Sequence, residues 1–326
     1  MTAIEIQLSN IERAKTACSE EDLLNAEQIL RQVLEASDGV LFSEIESNIL
    51  RAEAHSILGK IAYRRSEYTL ALDHYNLCLH SSTITDDKSM SARSLRNIGD
   101  ACQNLTDYKV AKDYQYRALA LDEEIQDLEG ISLDLGSLGN LYFYQSDYQQ
   151  ALDYYLRALS IAESLGNNYN AALYLGNIAN VYNCLSDYGK SLEYYNQAII
   201  LEEKNENTEG IARLLGNIGA LYQALDDSSR AIDHYEQALL LCEKINDKRG
   251  VARNTGSLGL VYQGLGDNKK SLQYQLEALR ISEEIGDLRF VGFWLAGIAM
   301  VETSLGNYDS AELRLLKTLA IRRNEL

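Results

Sequence analysis

Residues 138–167 read LGNLYFYQSDYQQALDYYLRALSIAESLGN, and this stretch decides the fold. Ala151, Leu152, Tyr155, Ala158, Leu159 and Ala162 recur at steps of three and four, which places them on one face of a helix. Asp147 stands just before that helix, where a carboxylate accepts hydrogen bonds from the unpaired amides of the first turn. Gly166-Asn167 marks its end, because glycine tolerates the left-handed C-cap. Upstream, Gly139 sits inside the preceding helix. A helical glycine costs ~1 kcal/mol relative to alanine, so it implies a close helix contact at that point.

Written in blocks of forty, the chain returns to the same pattern. A small residue stands at Gly59, Gly99, Gly139, Ala179, Gly219, Gly259 and Ala299. Three residues on, an aromatic recurs at Tyr142, Tyr182, Tyr222 and Tyr262; eight on come Asp107, Asp147, Asp187, Asp227, Asp267 and Asn307. Ala111, Ala151 and Ala231, then Ala118, Ala158, Ala198, Ala238 and Ala278, fill the second helix of each block. Residues 45–326 hold seven such helix pairs in one register, and 1–44 read as a degenerate pair with Ala26, Leu30, Val33 and Leu34 in its second helix. The expectation is one continuous solenoid from residue 45 to 326. The absence of proline from all 326 residues agrees with long, uninterrupted helices.

Leu138-Gly139-Asn140-Leu141-Tyr142 with Ala151, Tyr155 and Ala158 resembles the tetratricopeptide repeat, in which small and large residues stand at matching spacings. The period departs from the usual thirty-four and no proline closes the unit. The longer form is similar to the Leu-Gly-Asn-repeat scaffolds, kinesin light chains and bacterial signalling tetratricopeptide proteins. The resemblance covers residues 45–326 and implies an all-α, right-handed superhelical solenoid of about eight helix-turn-helix pairs, whose first helices line a concave face that binds extended segments.

Composition narrows the function. A net charge of -18 argues against general binding to nucleic acid or to an anionic membrane surface, both of which need a basic face. The longest mostly apolar run, 290–301, is too short to span a bilayer. The N-terminal MTAIEIQLSN has no basic region followed by an apolar core, so it does not read as a secretory signal. Five cysteines with no CxxC pair make a disulfide framework or a zinc site improbable and fit a reducing cytoplasm.

In the family that the repeat resembles, groove residues lie six, three and two before the small anchor and one, four and five after it. Carried to this chain, those offsets select Lys60, Arg64, Arg93, Arg96, Arg213 and Arg253 against only Glu53 and Asp100, a positive excess in an acidic protein. They also select an Asn/Ser ladder two before the anchors, Asn97, Ser137, Asn177, Asn217 and Ser257, suited to a peptide main chain, with Asn140 and Asn180 one after their anchors. Gly136, Gly176, Gly216 and Gly256, three before their anchors, are expected to clear space for a ligand backbone. The ligand expected is a protein or peptide with an extended acidic segment.

No catalytic or metal constellation emerges. His74 and His234 share one repeat offset and read as structural, while His55 and His80 have no ligating partner at metal spacing. The glycines lie in helices with no strand before them, so phosphate-binding loops are excluded by context. A non-enzymatic scaffold without a cofactor is the expectation, with two alternatives: a regulatory or sensor module of a larger signalling protein such as a cyclase or kinase, or a self-assembling structural solenoid. The last first helix is unusually apolar, and Phe293, Trp294 and Met300 are candidates for docking a second copy or a downstream domain. The C-terminal stretch from Arg322 to Leu326 follows with no obvious polar capping helix.

Overall fold

A computed structural model describes residues 2–19, 22–39 and 41–324. Glu325 and Leu326, and the side chains of Arg322, Arg323 and Asn324, lie outside the described residues. Sixteen α-helices fill the described chain: α1 Ala3–Ser19, α2 Leu23–Ser37, α3 Glu44–Arg64, α4 Tyr68–Ile84, α5 Lys88–Asn104, α6 Tyr108–Ile125, α7 Leu128–Tyr144, α8 Tyr148–Ser164, α9 Asn168–Cys184, α10 Tyr188–Lys204, α11 Thr208–Ala224, α12 Ser228–Lys244, α13 Lys248–Gly264, α14 Asn268–Ile285, α15 Leu288–Ser304 and α16 Tyr308–Asn324. They form two compact units, Met1–Asn167 and Asn168–Leu326. In each unit an odd-numbered helix pairs with the even-numbered one that follows, and also meets the first helix of the next pair. The fold is an all-α tetratricopeptide-type solenoid.

The turns repeat at half the sequence period. A left-handed residue recurs every twenty positions from Ser66 to Gly306, ending first and second helices alike. After each one, an amide five residues downstream of a helical carbonyl closes the turn, as in Asp107 N–H to Cys102 C=O at 3.0 Å and Asp147 N–H to Tyr142 C=O at 2.9 Å. That is the six-to-one bond of a Schellman C-cap. The same aspartate then caps the next helix: the Asp147 side chain accepts from the Gln150 amide, and the Asp127 side chain from the Gly130 amide. Two adjacent residues thus stop one helix and start the next. Glycine takes the left-handed position only at Gly166, Gly266, Gly286 and Gly306; elsewhere Ser, Asp, Thr, Gln, Glu or Asn occupies it.

The small anchors do what their cost implies. A Cβ on Gly139 would lie 2.5 Å from the Tyr155 ring, and one on Gly219 would lie 2.9 Å from the Tyr235 ring. Tyr155 and Tyr235 are buried, so each ring lies across the bare backbone of its partner helix. A second contact closes the other side of the pair. Tyr142 stacks on Tyr154, Tyr182 on Tyr194, Tyr222 on His234 and Tyr262 on Tyr274, with centroids 5.2–5.5 Å apart. Lys190, Arg230 and Lys270 place their charges 4.3–4.9 Å from the centroids of Tyr182, Tyr222 and Tyr262. His234 therefore stands where other pairs carry tyrosine. At the equivalent place His74 faces His55, with the two Nδ1 atoms 3.1 Å apart, and burial pushes the His55 imidazole down to about 4.

The non-glycine turns carry strain, since the left-handed region costs an L-residue about 1–2 kcal/mol. Gln126→Gly and Glu206→Gly are each expected to stabilise the protein by about 1 kcal/mol, part of the relief being returned through the unfolded-state freedom of glycine. Gly286→Ala, at φ 74°, is expected to destabilise it by a similar amount. Urea unfolding midpoints check the three signs.

Candidate functional site

In unit 1, the spacing of Glu53, Lys60 and Arg64 on α3 and of Arg93, Asn97 and Asp100 on α5 brings these residues to one face of each first helix. They line a cavity of about 390 Å³, with Lys15 and Cys18 of α1 on one side and Ile57, Ile61 and Tyr75 contributing apolar surface. Helix α1 is tied across it: Lys15 Nζ lies 3.4 Å from Glu53 Oε2, and Arg64 Nη1 donates to the Cys18 carbonyl at 3.2 Å. Asp100 accepts from Gln115 Nε2 at 2.7 Å, and burial pushes its carboxyl up to about 6. Lys60 and Arg93 form no ion pair among the described residues. Desolvation around the Lys60 ammonium, and the charge of Arg93 next to it, hold its pKa below the usual lysine value.

The sequence-predicted residues divide into groups. Lys60, Arg64, Arg93 and Asn97 come together in that cavity. Lys15 and Cys18 were not foreseen, because the degenerate first pair carries no repeat register. Asn140, also in unit 1, accepts the Tyr155 hydroxyl at 2.7 Å, which joins the amide to its own hairpin.

In unit 2, Asn180 accepts from Tyr195 in the same way and also from Asn217 Nδ2 at 3.4 Å; Asn177 is half-buried on the same helix as Asn180. Arg213 Nη2 lies 3.7 Å from the buried Glu202 carboxylate. Arg253 is half-buried, and desolvation holds its guanidinium below the usual arginine value.

Among the described residues no group of three or more His, Cys, Asp or Glu side chains is arranged to hold a metal ion. No helix among them is long and apolar enough to cross a membrane.

The tetratricopeptide repeat profile matches residues 131–204, 169–244, 210–284 and 250–324 in overlapping copies, and a second profile of the same repeat matches 92–125. The chain belongs to the tetratricopeptide repeat family. No curated relative matches it in sequence. Among solved structures, it is similar to a Rap protein complexed with competence and sporulation factor (TM-score 0.70, 15% identity, 99% of this chain and 98% of that one). It is also similar to the Rap conjugation gene regulator of plasmid pLS20 in complex with the Phr* peptide (TM-score 0.69, 14% identity, 99% and 94%). A third is a STAND signal-transduction ATPase with a tetratricopeptide repeat sensor from Pyrococcus horikoshii (TM-score 0.61, 16% identity, 97% and 52%). At these identities the likeness is one of fold.

The tetratricopeptide register explains three departures from the sequence reading. A residue three before the anchor meets the residue thirty-eight positions later, five before the next anchor. A Cβ on Gly216 would lie 2.8 Å from Asn254 Oδ1, one on Gly176 would lie 3.1 Å from Leu214, and one on Gly256 would collide with the Trp294 indole. These glycines make room for the next first helix; they do not open a ligand face. Arg96 occupies the same offset and is likewise turned inward, 9% exposed. Its Nε donates to Asp134, thirty-eight residues on, while Nη2 donates to Asp122 at 2.6 Å and to the Gly130 carbonyl at 3.2 Å. Arg96 is therefore withdrawn from the ligand face. Trp294 is withdrawn from the docking end for the same reason: it is 1% exposed, whereas Phe293 and Met300 are 53% and 65% exposed.

Gly256→Ala tests this assignment. A solvent-facing helical glycine would gain about 1 kcal/mol on becoming alanine. Here overpacking against Trp294 is expected to destabilise the protein by about 1–3 kcal/mol. Thermal or urea unfolding reads the sign directly.

Proposed function

We propose that this chain is a non-enzymatic binding module that holds an extended, acidic peptide or disordered segment along the faces of its first helices. The observation that carries this reading is the cluster of Lys60, Arg64, Arg93 and Asn97 on the first-helix face of unit 1, in a protein whose net charge is -18. Arg213, Asn217 and Arg253 offer the same chemistry within unit 2. Cations partly withdrawn from water attract carboxylates more strongly than fully solvated ones, and guanidinium groups pair with carboxylates through two parallel hydrogen bonds. An extended chain suits stacked helices because each pair advances by about three peptide residues. The complexes of Rap proteins with competence and sporulation factor and with Phr* support a peptide as the ligand class.

A second reading, a sensor module acting within a larger signalling protein, draws support from the STAND ATPase, whose tetratricopeptide repeats form its sensor. Self-association through exposed Phe293 and Met300 is a further proposal for the end of unit 2.

A displayed library of disordered segments, panned against the full chain, tests the main reading. Selected sequences are expected to be rich in Asp and Glu. Lys60→Glu combined with Arg93→Glu is expected to weaken the best of them about tenfold or more, as loss of charge-assisted pairs does. No selection, or affinities unchanged by the double charge reversal, would contradict it.

A further inference from the structure

The cavity at the α1 end of unit 1 has properties that an extended segment does not need. Helix α1 walls it off: Lys15 lies beside Glu53 and the Arg64 guanidinium is bonded to the Cys18 carbonyl, so a chain running along the face toward α1 meets a barrier there. At about 390 Å³ the space falls within the range of small-molecule sites, roughly 300–1,000 Å³. Its lining is divided. Ile57, Ile61 and the ring of Tyr75 supply apolar surface, whereas Lys60 and Arg93 present cations.

The acidic groups nearby are already engaged. Glu53 faces Lys15, and Asp100 accepts from Gln115. Lys60 and Arg93 therefore line one cavity without an ion pair to either among the described residues, and the Arg93 charge acts on Lys60 more strongly than the opposing charge of Glu53 does. The mutual repulsion costs energy that a bound anion would cancel, and desolvation by a snug ligand would strengthen each new pair.

We infer that this cavity binds a small organic anion, with one carboxylate or phosphate group held between Lys60 and Arg93 and a compact apolar body resting on Ile57 and Ile61. The site lies wholly within unit 1 and shares Lys60 and Arg93 with the face proposed for an extended segment, so it deepens that reading at the α1 end. A free small acid and the carboxylate end of a peptide bring the same chemistry, and the experiment separates them.

Benzoate, phenyl phosphate and their neutral counterparts benzamide and phenol are titrated into the full chain by calorimetry. At least one anion is expected to bind about tenfold or more tightly than its neutral counterpart. Lys60→Met and Arg93→Met are each expected to abolish that advantage; each residue keeps more than a third of its surface in water and forms no ion pair among the described residues, so the fold is expected to persist and circular dichroism verifies it. Tighter binding of acetyl-Gly-Gly-Phe than of benzoate identifies a peptide end as the natural source, and the reverse order identifies a free acid. Equal binding of charged and neutral probes, an advantage that survives both substitutions, or no binding of any probe at millimolar concentration overturns the inference. The library selection uses the same two cations, so the two tests are read side by side: acidic segments weakened by the double charge reversal, with no small probe bound, overturn this inference alone, whereas bound anions with no segment selected overturn the extended-segment reading alone.

Discussion

Where consecutive first helices meet, one of them must give up its side chain. Gly216 admits Asn254 and Gly256 admits Trp294, and the rest of the repeat is organised around that contact. It sets how closely the first helices stack within a unit, and so the spacing of every residue they present. At Gly256 the cost of a helical glycine, about 1 kcal/mol, is offset by burial of the Trp294 ring, since fully burying a large apolar side chain contributes about 2–3 kcal/mol. Arg96 is the exception that uses the same geometry differently. Instead of removing a side chain, the chain buries a cation and supplies Asp134 and Asp122 to meet it. Such a network adds little net stability compared with apolar packing, but losing one partner strands the others.

Charge is distributed against the protein's overall sign. Most acidic residues lie at turns, as N-caps, or on second helices, where water and the amides of first turns stabilise them. The first-helix faces keep Lys60 and Arg93 without ion pairs among the described residues in unit 1, and a half-buried Arg253 in unit 2. On the proposed function, the acidic surround would deter anionic surfaces that do not fit the face.

The forty-residue recurrence, the aspartate N-caps and the packing role of the anchors at Gly59, Gly139 and Gly219 were all legible in sequence, because each follows from local chemistry repeated in register. The twenty-residue turn was only half legible. Gly166 and Gly286 announce a left-handed cap, whereas Gln126 and Glu206 adopt it under the demand of the hairpin. Tertiary geometry also decided the offset three before the anchor. Nothing local to Arg96 says that Asp134 lies opposite, although pairing each such residue with the one thirty-eight positions later exposes the rule: Arg with Asp, and Gly with Leu, Asn or Trp. The contribution of α1 to the cavity was beyond sequence reasoning, since residues 1–44 carry no register to place Lys15 or Cys18.

The central claim is that ligands are held on first-helix faces and not on the second helices. Amide hydrogen exchange of the full chain, with and without a library-selected peptide at saturation, tests it most directly, because binding slows the opening of the elements that the ligand covers. Exchange is predicted to slow in α3 and α5 while α4 and α6 stay unchanged. Slowing confined to α4 and α6 would contradict the account.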